Sequence, residues 1–202
     1  TDIAGTTRDI DLGTFGTHKL RIVNLSTPSE CEGDGFSQTA CGFVLEFADI
    51  ITMHNMNNTD TNVGGWKDSN MRQYVNSDIF DSIPVGLKNK IISTKVVSGY
   101  GSTSGESNSI VDDKMYLFST KEVGFGNDYD SAKDETRKLD FYEINSLYSY
   151  KVKQYNDSND FWWLRVTRTD TSSSFVYIFN NGIPSVEEAT SEYGVSPAFR
   201  IG

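Results

Sequence analysis

No part of this sequence is basic. Lys and Arg number 18 against 28 Asp and Glu, a formal charge of −10 over 202 residues, and the cations never gather into a run. A nucleic-acid binder needs a basic face to displace counterions from phosphates. An anionic membrane surface asks for the same, so neither partner is expected. Cationic ligands, calcium and neutral glycans stay open, beside plain solubility. Long apolar runs are missing too. The longest, Cys41 to Ile51, is interrupted by Glu46 and Asp49. A membrane span needs ~20 apolar residues, so no membrane insertion is expected. There is no secretory leader and Thr1 is not a natural start, so the chain reads as an excised piece of a longer protein.

Catalytic signatures are equally scarce. Only His18 and His54 could serve as bases for a hydroxyl nucleophile, and a Ser/His/Asp triad needs one of them beside a serine. Gly101-Ser102-Thr103-Ser104-Gly105 has Thr at the centre and no apolar strand leading into it, unlike a nucleophile elbow. No phosphate-binding glycine loop is present. Acidic residues always offer pairs for glycoside hydrolysis, yet nothing singles out two of them. The expectation is a protein that is not an enzyme and carries no cofactor. Zinc lacks a ligand set, because the two cysteines have only those two histidines for company. Cys31 and Cys41 are ten apart, and Gly33, Asp34 and Gly35 let the segment close. A disulfide fits an exported protein, and two free thiols remain the alternative.

What the sequence has is aromatic residues, 12% of the chain. That is too many for a disordered segment, and it favours short strands. Alternation and apolar runs place strands at Lys19–Leu25, Gly42–Ile51, Lys95–Val97, Lys114–Phe118, Phe161–Val166, Phe175–Phe179 and Ser196–Ile201. Met71, Tyr74, Val75 and Ile79 fall on one helical face, with Asp68 or Ser69 as cap. Pro84 ends that helix or begins a short one that turns Leu87, Ile91 and Ile92 inward. Ser119 and Glu122 match a capping box for another short helix. Leu139, Tyr142 and Ile144 suggest a further one. Asn180-Asn181-Gly182 is a turn. In the acidic loop from Gly124 to Asp134, Asp128, Asp130 and Asp134 supply oxygen ligands of the kind calcium takes, without EF-hand spacing. The alternative is a solvated acidic loop.

Trp162-Trp163-Leu164-Arg165 and, some thirty residues on, Gly194-Val195-Ser196-Pro197-Ala198-Phe199 carry a resemblance. They resemble an uncharacterised family of bacterial surface domains, mostly Gram-positive and gut-associated, with W-W-L-R-S and G-V-R-P-A-F signatures. Gly65 to Asn76 is similar to that family's W-x-x-S-x-x-R-x-x-L-N helix, Asp113 to Ser119 to its D-K-x-F-L-L-S strand, and Lys19 to Val23 to its opening strand. Ser196 stands where the family has Arg, and Val166 where it has Ser. The family in turn looks like a relative of the C-type-lectin-like fold, shared with the formylglycine-generating sulfatase modifiers and the variable proteins of diversity-generating retroelements. The resemblance implies one α+β domain over residues 1–202, with short mixed or antiparallel strands, first and last strands paired, two or more helices and a loop-rich surface. It implies an extracellular or cell-surface binding module with a protein or glycan ligand. A structural spacer and an enzyme like the sulfatase modifiers are the alternatives. The modifiers' C-terminal cysteine pair and the lectins' calcium triplet are both missing. Candidate ligand contacts are Arg168, Asp170, Tyr177, Asn180, Asn181 and Tyr193, while Trp162, Trp163, Arg165 and Pro197 read as structural.

Overall fold

The structure, a computed structural model, describes residues 3–102, 108–126, 136–168 and 170–202. A hairpin of β1 (Thr7–Asp11) and β2 (Thr17–Asn24) opens the chain. The disulfide-closed loop follows, then β3 (Val44–Phe47) and β4 (Thr52–His54). A broken helical stretch comes next: α1 (Gly65–Asp68), α2 (Asn70–Tyr74), one π-type turn at Val75–Ile79, α3 (Phe80–Ser82) and α4 (Val85–Lys88). Strands β5 (Thr94–Ser98) and β6 (Ser109–Asp113) pair as a ribbon, and α5 (Asp140–Ile144) precedes a second ribbon of β7 (Lys153–Tyr155) and β8 (Ser158–Asp160). The chain ends with β9 (Trp162–Thr167), β10 (Ser174–Ile178), β11 (Pro184–Glu188), β12 (Tyr193–Val195) and β13 (Ala198–Arg200).

Two sheets organise these elements. One has the order β1-β2-β3-β13 and the other β11-β10-β9-β12-β4. One long ribbon runs through both: β3 pairs antiparallel with β13, and β4 with β12. The joints keep hydrogen bonding across the bend, Phe47 N–H to Pro197 O at 3.1 Å and Ile51 N–H to Val195 O at 2.9 Å. The core between the elements holds Phe47, Trp66, Tyr116, Phe118, Trp162 and Phe199, all fully buried. Mixed helices and short strands make the class α+β, as the sequence implied.

Several boundaries differ from the sequence expectations. Gly42–Ile51 is not one strand: the chain bends at Ala48–Ile51 and passes from one sheet to the other, with Asp49 Oδ1 accepting the Gln154 N–H at 3.0 Å. Ser196–Ile201 shortens for the same reason, because Ser196-Pro197 is the matching joint. The strand expected at Lys114–Phe118 lies earlier, at Ser109–Asp113, and Met115 to Phe118 form a buried extended segment with a single bridge at Tyr116 to Ala198. Asn76 caps that segment's start, taking the Lys114 and Met115 N–H groups on its Oδ1 at 3.0 and 2.9 Å. Ser119 and Glu122 do make a reciprocal capping box, with Ser119 N–H to Glu122 Oε2 at 2.8 Å and Glu122 N–H to Ser119 Oγ at 3.3 Å, but it closes a turn and not a helix. Ile144 faces solvent at 75% exposure because α5 ends there, one turn after Leu139 and Tyr142 are buried. The first and last strands share a sheet but do not pair: β13 takes β3, while β1 takes β2 at the far edge. Of the two candidate caps, Ser69 takes the role, its Oγ accepting the Arg72 N–H at 3.1 Å.

Candidate functional site

Side chains alternate along a strand, so Phe161 and Trp163 follow one another on one face at the start of β9; beyond Trp163 the pairing with β10 shifts register. At its N-terminal end this face is aromatic. Tyr177 on β10 stands opposite Trp163 in register, Phe179 follows β10, and Tyr193 begins β12. Ring centroids lie 4.7 Å apart for Phe161–Phe179, 5.2 Å for Phe161–Tyr193, 4.9 Å for Trp163–Tyr193 and 4.7 Å for Tyr177–Tyr193. Edge-to-face and tilted contacts of this kind add about 0.5–1.5 kcal/mol per pair beyond burial. The strip runs on across the sheet, because Tyr193 is the register partner of His54, whose ring stacks on Tyr74 at 4.1 Å. Trp163 is fully buried and donates its indole N–H to the His54 carbonyl at 3.0 Å. Tyr177 is 4% exposed, so this predicted contact residue forms the floor of the patch and not its surface. Phe179 is 37% exposed, and Phe161, Tyr193, His54 and Tyr74 are half-buried. The Tyr193 hydroxyl donates to Glu187 Oε2 at 3.3 Å, and burial together with that carboxylate pushes it well above the ordinary tyrosine value.

The six residues expected to contact ligand do not converge. Tyr177 and Tyr193 meet, and the exposed Asn180 and Asn181 sit in the turn beside Phe179, where Asn181 Oδ1 accepts the Ile183 N–H at 3.1 Å. Gly182 in that turn is left-handed, and a side chain there would run into the Tyr148 carbonyl. Arg168 and Asp170 lie at the other end of β10, in the β9–β10 connection, tied in an ion pair whose Nε–Oδ1 contact is 2.6 Å. That connection is pinned by Asn62, which is fully buried. Its amide donates to the carbonyls of Arg168, Thr171 and Ser174 at 2.9–3.0 Å, and its Oδ1 accepts the Ser102 N–H at 3.1 Å. Nothing in the sequence distinguishes Asn62 from the other polar residues of its loop.

Two interior charge clusters also escaped the sequence reading. Glu46 on β3 is buried and meets Arg21 (Nε–Oε1 2.8 Å), Lys153 (Nζ–Oε2 2.9 Å) and the Tyr142 hydroxyl (3.1 Å to Oε2). Lys153 is buried as well, donating to the Phe47 carbonyl at 2.6 Å and lying 4.9 Å from the Trp162 ring. Burial alone would raise the Glu46 carboxyl, but two cations hold it below the ordinary value. Lys153 shares its one carboxylate with Arg21, so burial wins there and lowers its amine to about 8. In the second cluster Arg165 reaches Glu122 through both terminal nitrogens at 2.6 Å and donates to the Leu117 carbonyl at 2.8 Å. Glu122 also takes hydrogen bonds from Thr39 and Thr136, and despite burial its carboxyl is held low, first by Arg165. The one sequence signal for Glu46 was its position inside an otherwise apolar run.

Other motif residues prove structural. Asp113 accepts the Trp66 indole N–H at 2.9 Å and the Arg72 Nε–H at 2.8 Å, fastening α1 and α2 to β6. Gly194 has no room for a side chain between Ile50 and the Phe161 carbonyl. Ser196 is buried and donates to the Phe47 carbonyl at 2.8 Å. Cys31 and Cys41 are joined in a disulfide, Cα atoms 6.0 Å apart, which with Phe36 forms a small apolar cluster. Asp128, Asp130 and Asp134, the candidate calcium ligands, lie outside the described residues, as do Thr103, Ser104 and Gly105. Among the described residues no group of three or more His, Cys, Asp or Glu is placed to hold a metal ion, and no helix is long and apolar enough to cross a membrane. An open groove of about 510 Å³ lies on the other sheet, between β1, Leu20, Ile22 and Leu45 on one side and Pro84 and Leu87 on the other.

A family profile described as Domain of unknown function (DUF6273) matches residues 43–202. The match begins after β2, although β2 supplies β3 with its neighbour and Glu46 with Arg21. No curated protein and no solved structure matches the chain.

Proposed function

The chain belongs to the DUF6273 family, and on that premise we propose that it is a non-catalytic ligand-binding module of a bacterial cell-surface protein, with a protein or glycan ligand. The observation that carries this reading is the aromatic strip from Phe179 to Tyr74, partly open to solvent on the five-stranded sheet. Exposed aromatics packed over a rigid buried floor are the side chains that dominate binding energy at recognition surfaces. Trp163 and Tyr177 supply that floor. The buried acids Glu46 and Glu122 are closed into ion pairs inside the molecule, which favours a structural over a chemical task for them.

The C-type-lectin-like scaffold is part of the same reading. It is supported by the α+β make-up, by extensive loops, and by a terminal strand that returns to an N-terminal sheet. The disulfide supports an extracellular or cell-surface location, since such bonds persist in oxidising compartments. The test is an array carrying neutral oligosaccharides and peptides, screened with the protein and with Phe179→Ala, each with and without chelator. The expected result is at least one ligand class retained by the protein and lost by Phe179→Ala. Loss on chelation alone would move the site to the Asp128–Asp134 loop and restore a calcium-dependent mode. No retained ligand would leave a spacer role.

A further inference from the structure

The aromatic strip has a charge signature that narrows its ligand, an inference that rests on the reading of this patch as a ligand surface. Between Arg168 and Arg200 the sequence contains no Lys or Arg. That span builds β10, β11 and β12 and brings Tyr177, Phe179 and Tyr193 to the patch. It also brings Glu187 to the patch, while Glu188 stands opposite Ser174 at the other end of β10 and Glu192 precedes Tyr193. Glu187 is half-buried and held against the patch by the Tyr193 hydroxyl at 3.3 Å, while Glu188 and Glu192 are exposed. On the β9 side Asp160 directly precedes Phe161 and accepts its N–H at 2.8 Å. None of these four carboxylates is in an ion pair among the described residues. The interior acids show the contrast: Glu46 and Glu122 each meet cations.

Ring faces attract cations, and a desolvated cation gains more from them than an exposed one. A neighbouring carboxylate adds attraction over a longer range and speeds encounter. An anionic ligand on the rings would meet the Glu187 carboxylate held beside Tyr193. A neutral sugar could stack on the rings but would draw nothing from the acids. We propose that the strip docks a lysine- or arginine-bearing peptide segment of a partner protein, its cationic side chain over Phe161, Phe179 and Tyr193 and its charge answered by Glu187.

The experiment is a calorimetric titration of the whole chain with three probes: a short alternating Gly/Lys peptide, the Gly/Glu peptide of equal length, and a neutral glucan oligosaccharide. Phe179→Ala, Glu187→Gln and, as a control on the β5–β6 ribbon, Asp112→Asn are titrated alongside. The Gly/Lys peptide is expected to bind, about tenfold more weakly to Phe179→Ala and to Glu187→Gln, more weakly again as salt is raised, and unchanged to Asp112→Asn. The Gly/Glu peptide is expected not to bind. Equal binding of the Gly/Lys peptide to Phe179→Ala would show diffuse attraction to the acidic surface and overturn the proposal. Binding of the oligosaccharide through Phe179 without the Gly/Lys peptide would overturn the cationic assignment and leave the patch a ligand surface. No binding by any probe would overturn the cationic assignment and count against the ligand-surface reading too.

Discussion

The two ends of β9 invert the usual distribution of residues. At one end Arg165 is buried against Glu122, and at the other Phe161 and its neighbour Phe179 reach solvent. Buried charge is costly unless every group is paired and hydrogen-bonded. The Glu122 carboxylate meets that condition, with Arg165, two threonines and a backbone N–H around it. Exposed aromatic surface is the opposite kind of cost, offset only in part by the ring contacts at the Phe161–Phe179 end. The difference separates what this sheet needs to fold from what it presents outward. Removing a residue at the charged end should change stability; removing one at the aromatic rim should change binding.

The largest effect is expected from Arg165→Met, which strands the buried Glu122 carboxylate. Breaking one partner of such a pair costs about 3–5 kcal/mol, read as a shift of the denaturant midpoint. A midpoint within error of the parent would mean that Glu122 is solvated after all and the contrast is overstated. Trp163→Ala, under the aromatic rim, is expected to cost a similar ~3–5 kcal/mol through lost burial. A negligible change there would make Trp163 part of the ligand surface and not its floor.

Acid should act on the buried ion clusters. The folded carboxyls of Glu46 and Glu122 titrate below their ordinary value of 4.5. Their stabilisation is therefore fully present above that value and is lost as the pH falls through the lowered folded values. Denaturation midpoints measured from neutral pH down to strong acid should fall in that window. Glu122→Gln should flatten part of the fall, and an unaltered profile in the variant would exclude Glu122 as its source. Opening the disulfide comes next. It closes a short loop whose Thr39 feeds the Glu122 cluster, and Cys31→Ser with Cys41→Ser should cost about 2–4 kcal/mol, measured by thermal unfolding against the oxidised protein. Phe179→Ala is the smallest change in stability, about 0.5–1.5 kcal/mol from its lost ring contacts at the solvent edge.

The sequence made some of this legible and concealed the rest for identifiable reasons. Apolar periodicity located β2, β9 and β10 to within a residue or two, because each is a short strand with a continuous buried stretch. It failed at Gly42–Ile51 and Ser196–Ile201, where one extended ribbon bends between sheets and leaves no break in the apolar pattern. It misplaced β6, since Ser109–Asp113 has only Ile110 and Val111 as apolar residues and exposes them in part, while the buried segment after it is apolar. The sequence marks Tyr177 and Tyr193 as contacts, but their partners Phe161 and Phe179 only as strand residues. Which face of a strand stays open depends on what covers it, and local sequence does not carry that. The ion clusters were hidden because Glu46, Arg21 and Lys153 are brought together from separations of 25 and 107 residues.

The central claim is that the aromatic rim is kept for binding and not for folding. The direct measurement is to determine, on one preparation of Phe179→Ala, both the denaturant midpoint and the affinity for the Gly/Lys peptide. The account predicts a midpoint lowered far less than by Trp163→Ala and binding weakened about tenfold. A midpoint lowered as far as by Trp163→Ala, with undiminished binding, would contradict it, and would return Phe179 to the core it borders.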